Sequence, residues 1–185
     1  DKATDPEAEF LRVNTEGTVN LVKQSIAAGV KRFVFMSSIG AMTSSSDRPL
    51  TESSPCQPDT PYGRSKLQAE QALVQLASQS NMTWTVLRPP LVYGAGNPGN
   101  MERLIKLVQK GLPLPFGAVK NRRSLVYVGN LVDAIASTLN HPQAANQTFL
   151  VSDGEDFSTP ELIQKIAANL NHPCHLLSVP SSWLQ

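Results

Sequence analysis

Two short apolar runs limit what this chain can fold into. Lys31-Arg32-Phe33-Val34-Phe35-Met36 and Thr83-Trp84-Thr85-Val86-Leu87 are too brief for helices and rich in aromatic and β-branched residues. Each reads as a buried strand of a parallel sheet. Helical patterns precede both. From Pro6 to Ala28 the apolar positions Phe10, Val13, Val19, Leu21, Val22 and Ile26 recur at helical spacing. Asp5 would cap that helix, Pro6 open its first turn and Gly29 end it. A Ser/Thr/Pro-rich loop spans Ser37 to Pro61, a second helix runs from about Tyr62 to Ser78, and Arg88-Pro89-Pro90 stops the second strand. Helix, strand, helix, strand with such connections predicts an open α/β sheet.

After Gly99 the rhythm changes. Helices are expected at Met101–Lys110, Asn130–Asn140 and Thr159–Leu170, the last capped by Ser158 with Pro160 in its first turn. Extended pieces are expected at Pro113–Phe116, Ser124–Val128, Thr148–Val151 and His175–Val179. The reading is therefore a partial Rossmann-like, doubly wound parallel sheet with a smaller lobe beside it. Residues 1–92 would belong to the sheet domain. Residues 93–185 would be mainly the lobe, with some segments free to return to the sheet.

Of 185 residues, 41% are hydrophobic and 17% charged, a globular balance, and the net charge of +1 gives no field to draw in nucleic acid or a membrane surface. No apolar run approaches the roughly 20 residues of a membrane span. Cys56 and Cys174 have no metal-ligand spacing and read as free thiols in a reducing, cytoplasmic setting. The chain opens on Asp1-Lys2-Ala3 and passes directly into a helical pattern, so it reads as a piece of a longer protein.

Tyr62-Gly63-Arg64-Ser65-Lys66 carries the clearest chemistry. Tyrosine and lysine four positions apart share a helix face, and an ammonium near a phenol favours the phenolate by charge attraction. Such a phenol can exchange a proton with a substrate hydroxyl or carbonyl. Alone, the pair is an ordinary feature of helix surfaces. Ser37 and Ser38 stand at the carboxyl end of the first strand, where open parallel sheets bind ligands, and a hydroxyl there can reach the same substrate oxygen. Arg122-Arg123 before a strand suits a phosphate, or is simply a solvated charge pair. Gly94-Ala95-Gly96-Asn97-Pro98-Gly99 spells a dinucleotide fingerprint but lies too far past its strand, with no acid about 20 residues on. It is read as a loop. His141, His172 and His175 do not cluster, and no metal is assigned.

Taken in order, these motifs resemble the extended short-chain dehydrogenase/reductase family, in its nucleotide-sugar epimerase, dehydratase and 4-ketoreductase branch. The likeness rests on Val13-Asn14-Thr15-Glu16-Gly17-Thr18, Val30 to Ser38, Tyr62 to Lys66, Leu87-Arg88-Pro89-Pro90-Leu91-Val92-Tyr93-Gly94 and Arg123 to Val128. It implies Tyr62 as acid/base, with Lys66 tuning it and holding the nicotinamide ribose of NAD or NADP. Ser38 would orient the substrate oxygen; it is preferred to Ser37 because Met42 stands four places on, where the family has an aromatic. Asn14 would support the lysine, and Ser37, Pro89, Pro90, Leu91 and Val92 would border the cofactor. Asn100, Met101, Phe116 and Arg123 would hold a nucleotide-sugar substrate, with Arg123 on its phosphate.

The resemblance also implies a homodimer and a hydride transfer coupled to proton transfer through Tyr62. It leaves an epimerase, a 4-ketoreductase and a small-alcohol dehydrogenase of hydroxysteroid type as alternatives. Leu91 stands where many epimerases have asparagine, which favours the latter two. Met42-Thr43 replaces the usual Tyr-Gly. The glycine-rich turn that holds adenosine lies outside this sequence, so the isolated chain is expected to bind cofactor poorly, to be inactive, and to hide an open sheet edge by self-association or disorder.

Overall fold

The structure is a computed structural model and describes residues 5–96 and 99–180. Asn97 and Pro98 of the expected glycine-rich loop lie outside the described residues, as do both chain ends. In chain order the elements are α1 (Pro6–Phe10), a π-helical turn (Leu11–Glu16), α2 (Gly17–Ala27), β1 (Arg32–Met36), α3 (Pro61–Ala77), β2 (Thr83–Arg88) and β3 (Leu91–Tyr93). They continue with α4 (Asn100–Gln109), β4 (Arg123–Tyr127), α5 (Val128–Asn140), β5 (Gln147–Leu150), β6 (Asp156–Phe157) and α6 (Thr159–Asn169).

The chain forms two units. The first comprises residues 1–90 and 129–151, the second residues 91–128 and 152–185. In the first, β1, β2 and β5 form a parallel sheet in that order, with Met36 opposite Leu87 and Leu87 opposite Phe149. Parallel neighbours need a crossover, and α3 supplies the one between β1 and β2. Its inner face buries Ala69, Leu73 and Ala77 against Phe35 and Val86 of the strands and Val22 of α2. The N-termini obey local chemistry. Asp5 Oδ1 accepts from the backbone of Glu7 (3.0 Å) and Ala8 (3.1 Å), and Thr60 Oγ1 accepts from Gly63 N (3.0 Å) ahead of α3.

The first helical run departs from its expected regularity. Periodicity predicts one continuous helix from Pro6 to Ala28, but Leu11–Glu16 widens into a π turn. The cause lies across the fold. Asn14 Nδ2 donates to Ser65 Oγ (3.0 Å) and Thr15 Oγ1 to the Ser65 carbonyl (2.9 Å), so this turn docks onto α3 through two polar contacts. A π bulge lets adjacent side chains reach the same neighbour and is frequent at functional sites.

In the second unit β3 pairs parallel with β4, and β4 antiparallel with the two-residue β6. Its core is Val108, Leu114, Ile163 and Ala167, from α4, α6 and the segment between them, with Phe116 and Leu176 packed alongside. Ser158 and Glu161 form a reciprocal capping box on α6. The extended pieces expected at 113–116 and 175–179 meet only as a single bridge, Leu114 with Leu176. Two backbone bonds flank it, Leu114 N to His175 O and Leu177 N to Leu114 O, both 2.8 Å. Among the described residues no helix is long and apolar enough to cross a membrane.

Candidate active site

The site residues of the first unit gather where β1 and β2 end. Strand β1 runs into Ser37 and Ser38, and Ser37 N bonds the Leu87 carbonyl (2.8 Å), so the strand stays in register to its last residue. Ser38 then caps a 3-10 turn over Ile39–Ala41, its Oγ accepting from Gly40 N (3.1 Å). Ile39 N bonds the carbonyl of Pro89 (3.0 Å), which ties this turn to the buried Pro89 that follows β2. Met42 is fully buried and anchors the loop from inside.

The start of α3 presses against that same turn. A methyl placed on Gly63 would sit 2.2 Å from the Gly40 carbonyl oxygen, so only glycine permits this approach. Gly40 in turn lies between the two candidate hydroxyl residues. A methyl on it would be 3.4 Å from Ser38 Oγ and 3.8 Å from both Cδ1 and Cε1 of Tyr62. Ser38 and the Tyr62 ring thus border one small volume. Tyr62 is 38% exposed there and receives Phe10 edge-on, with centroids 5.6 Å apart. This contact was not foreseen from sequence, where Phe10 reads only as a helix-face residue.

Lys66 lies one turn along α3, half-buried, with its Nζ donating to the Met36 carbonyl (3.1 Å). It stands 5.1 Å from the centroid of Phe35 and 6.0 Å from that of Tyr62. Burial pushes the Lys66 amine below its ordinary value of 10.5, and the Glu70 carboxylate one turn on opposes that shift. Asn14 reaches Tyr62 only through Ser65: its amide donates to Ser65 Oγ, which donates to the Tyr62 carbonyl (2.8 Å).

Ser37 has a different use for its side chain. Its hydroxyl donates to Glu70 Oε1, and the Arg88 guanidinium closes on the same carboxylate, Nε to Oε1 at 3.0 Å and Nη2 to Oε2 at 2.5 Å. All three residues are buried. Neither Glu70 nor Arg88 was singled out from sequence, although an acid four residues past Lys66 on the inward face of α3 was the available signal.

Leu91 and Val92, expected to follow Pro89 and Pro90 along a cofactor, belong to the second unit as β3. In that unit a cavity of about 830 Å³ is lined by Met101, Ile105, Leu125, Phe157, Ile166 and Leu170, among others. Of the four expected substrate contacts, Met101 faces this cavity and Asn100 opens α4. Phe116 packs on the adjoining apolar core, and Arg123 is exposed at the start of β4. Tyr93, also on the cavity, donates to Asp153 Oδ2 (3.0 Å), and burial together with that carboxylate raises its phenol above the usual value. Among the described residues no three His, Cys, Asp or Glu side chains are grouped to hold a metal.

Residues 1–152 match the NAD dependent epimerase/dehydratase family. The chain belongs to that family. Its relatives include the UDP-glucose 4-epimerase of Vibrio cholerae, 47% identical over 97% of this chain and 56% of the relative. The UDP-glucose 4-epimerase of Thermotoga maritima, solved with UDP-glucose, superposes with a TM-score of 0.81 at 26% identity, over 94% of this chain and 58% of that one. The Thermus thermophilus UDP-glucose 4-epimerase, solved with NAD, gives 0.76 at 27% identity over 91% and 57%. The α/β class and the Rossmann-like parallel sheet are those of this epimerase/dehydratase fold. The chain spans little more than half the length of these proteins.

Proposed function

We propose that the protein containing this chain is a nucleotide-sugar 4-epimerase acting on a UDP-hexose, with NAD as its cofactor. The observation that carries the reading is the shared border of Ser38 and Tyr62 at Gly40, with the Lys66 ammonium one turn away on the Met36 carbonyl. The 47% identity to a UDP-glucose 4-epimerase supports the choice of substrate class. The residues present suit the nicotinamide end of the cofactor, because the Lys66 ammonium at the carboxyl end of β1 and the Tyr62 hydroxyl can both meet ribose oxygens. NAD, when bound, accepts and returns the hydride; the protein supplies orientation and proton transfer.

In this mechanism the Tyr62 oxygen removes the proton of the sugar 4-hydroxyl and later returns it. Ser38 Oγ accepts from Gly40 N, which leaves its own O–H free to donate to the sugar oxygen and hold it in place. Lys66 contributes positive charge as the phenol gives up its proton. Arg123 takes a phosphate oxygen of the UDP group, and Asn100, Met101 and Phe116 receive the rest of the nucleotide.

Tyr62→Phe in the complete enzyme tests the reading. Removing the phenol oxygen lowers kcat by about 10²-fold or more with substrate binding little changed, the scale of a positioned acid/base. A kcat within a fewfold of wild type overturns it. Leu91 favours a second reading, a 4-ketoreductase, in which a keto sugar consumes reduced cofactor stoichiometrically rather than catalytically.

A further inference from the structure

The buried group behind the catalytic pair holds three polar residues that the proton-transfer scheme leaves unused. Glu70 is 4% exposed, Ser37 4% and Arg88 6%. One carboxylate takes three donors: the Ser37 hydroxyl and Arg88 Nε on Oε1, and Arg88 Nη2 on Oε2. The donors come from two neighbouring strand ends. Ser37 follows β1 and Arg88 closes β2, while Glu70 belongs to α3. The helix that presents Tyr62 is therefore tied to both strands at one point.

A buried ion pair is a poor device for stability alone, since apolar residues of similar volume often do as well or better. What a bidentate guanidinium–carboxylate pair adds is direction, because both partners are planar and accept only a narrow range of approach. Apolar packing, being non-directional, fixes the height of a helix along its axis less sharply than a three-donor clamp does. Tyr62, Lys66 and Glu70 recur every fourth residue, so the height of Glu70 sets that of the other two. The Lys66 bond to Met36 falls on the residue just before Ser37, one step from the clamp.

We infer that Glu70 is the positioning residue of the Tyr62–Lys66 pair, with Ser37 and Arg88 as its anchors on the sheet. The inference rests on the proposed acid/base role of Tyr62. Glu70 is buried, with its carboxylate engaged by Ser37 and Arg88, and acts through the height and the charge of its neighbours. From its own helix Lys66 faces Tyr62 and Glu70, while β1 offers the Phe35 ring and the Met36 carbonyl; β2 brings Arg88, bound to Glu70. Of these, Glu70 favours the ammonium that burial opposes.

Three variants of the complete enzyme test it: Ser37→Ala, Ser37→Thr and Glu70→Gln. Ser37→Ala removes one anchor without uncovering a charge, and is expected to lower kcat by about 10- to 100-fold, the cost of misplacing a reacting group by around 1 Å. KM stays within twofold (about 0.4 kcal/mol), and Ser37→Thr, which keeps the hydroxyl, restores the rate. In this chain, competitive acylation of Lys66 followed by mass spectrometry reads the second effect without any turnover. Glu70→Gln makes Lys66 severalfold more reactive near neutral pH, and Ser37→Ala leaves it as it was. If kcat of Ser37→Ala and the acylation profile of Glu70→Gln both match wild type while the thermal midpoints fall, the clamp is merely structural and the inference is overturned. The acid/base reading fails separately, through an active Tyr62→Phe.

Discussion

The contact between Gly63 and Gly40 gives the sharpest handle on this site. In Gly63→Ala the new methyl carbon would lie 2.2 Å from the Gly40 oxygen, 3.0 Å from Pro58 Cβ and 3.1 Å from the Gly40 carbonyl carbon. Two of the three obstacles are backbone, so no side chain can rotate away. The helix and the Ser38–Gly40 turn must part by roughly 1 Å before the contact stops being repulsive. Two effects compete. Alanine is favoured over glycine within a helix by about 1 kcal/mol, while overpacking of a tight contact costs about 1–3 kcal/mol. At so short a distance the upper end applies, and the net is a loss of about 1–2 kcal/mol. Urea denaturation of this chain, compared at equal slope, reads that number. The same displacement separates Ser38 from Tyr62, so in the complete enzyme kcat falls by about 10²-fold. A Gly63→Ala chain that gains the stability expected from helix propensity, with kcat unchanged, would refute the close approach and the shared site built on it.

Other outcomes follow from the same geometry. Leu73 is fully buried between α2, α3 and the sheet, so Leu73→Ala costs about 2–5 kcal/mol in a urea titration. For Lys66, burial lowers the folded value below 10.5, so the unfolded chain binds the extra proton between the two values. Wild-type stability relative to Lys66→Met therefore rises with pH across that alkaline window and falls back as pH drops through the lowered value; urea midpoints taken from neutral pH to pH 10.5 check the sign. Arg123 is exposed, so Arg123→Ala leaves stability within about 0.5 kcal/mol. It raises KM for a UDP-sugar by about 10- to 100-fold, the cost of one charged hydrogen bond, whereas an enzyme for small uncharged alcohols would keep its KM.

Much of this site is legible along the chain because its elements are local. Tyr62 and Lys66 are four residues apart, and α-helical geometry alone puts them on one face. Ser38 sits at a strand end because a run of branched and aromatic residues stops there, and Asp5, Thr60 and Ser158 cap helices through bonds spanning three residues or fewer. Such features depend on neighbours a few bonds away, so periodicity and capping rules reach them.

The remainder depends on which segments meet. The π turn at Leu11–Glu16 exists because Ser65, about fifty residues on, offers it two polar contacts. Ser37 looks like a ligand-binding hydroxyl in sequence, yet its proton goes to Glu70, thirty-three residues away. Gly63 has its reason only across the fold, where the Gly40 carbonyl oxygen would lie 2.2 Å from an added methyl. Strand β3 was hidden because three residues after two prolines carry too little pattern to announce a strand. Sequence order determined which side chains share an element, since that follows from the pitch of helices and the pleat of strands. Tertiary structure alone decided which polar groups find each other across elements, because a buried hydrogen bond is made with whatever donor the packing brings within 3 Å, however distant along the chain.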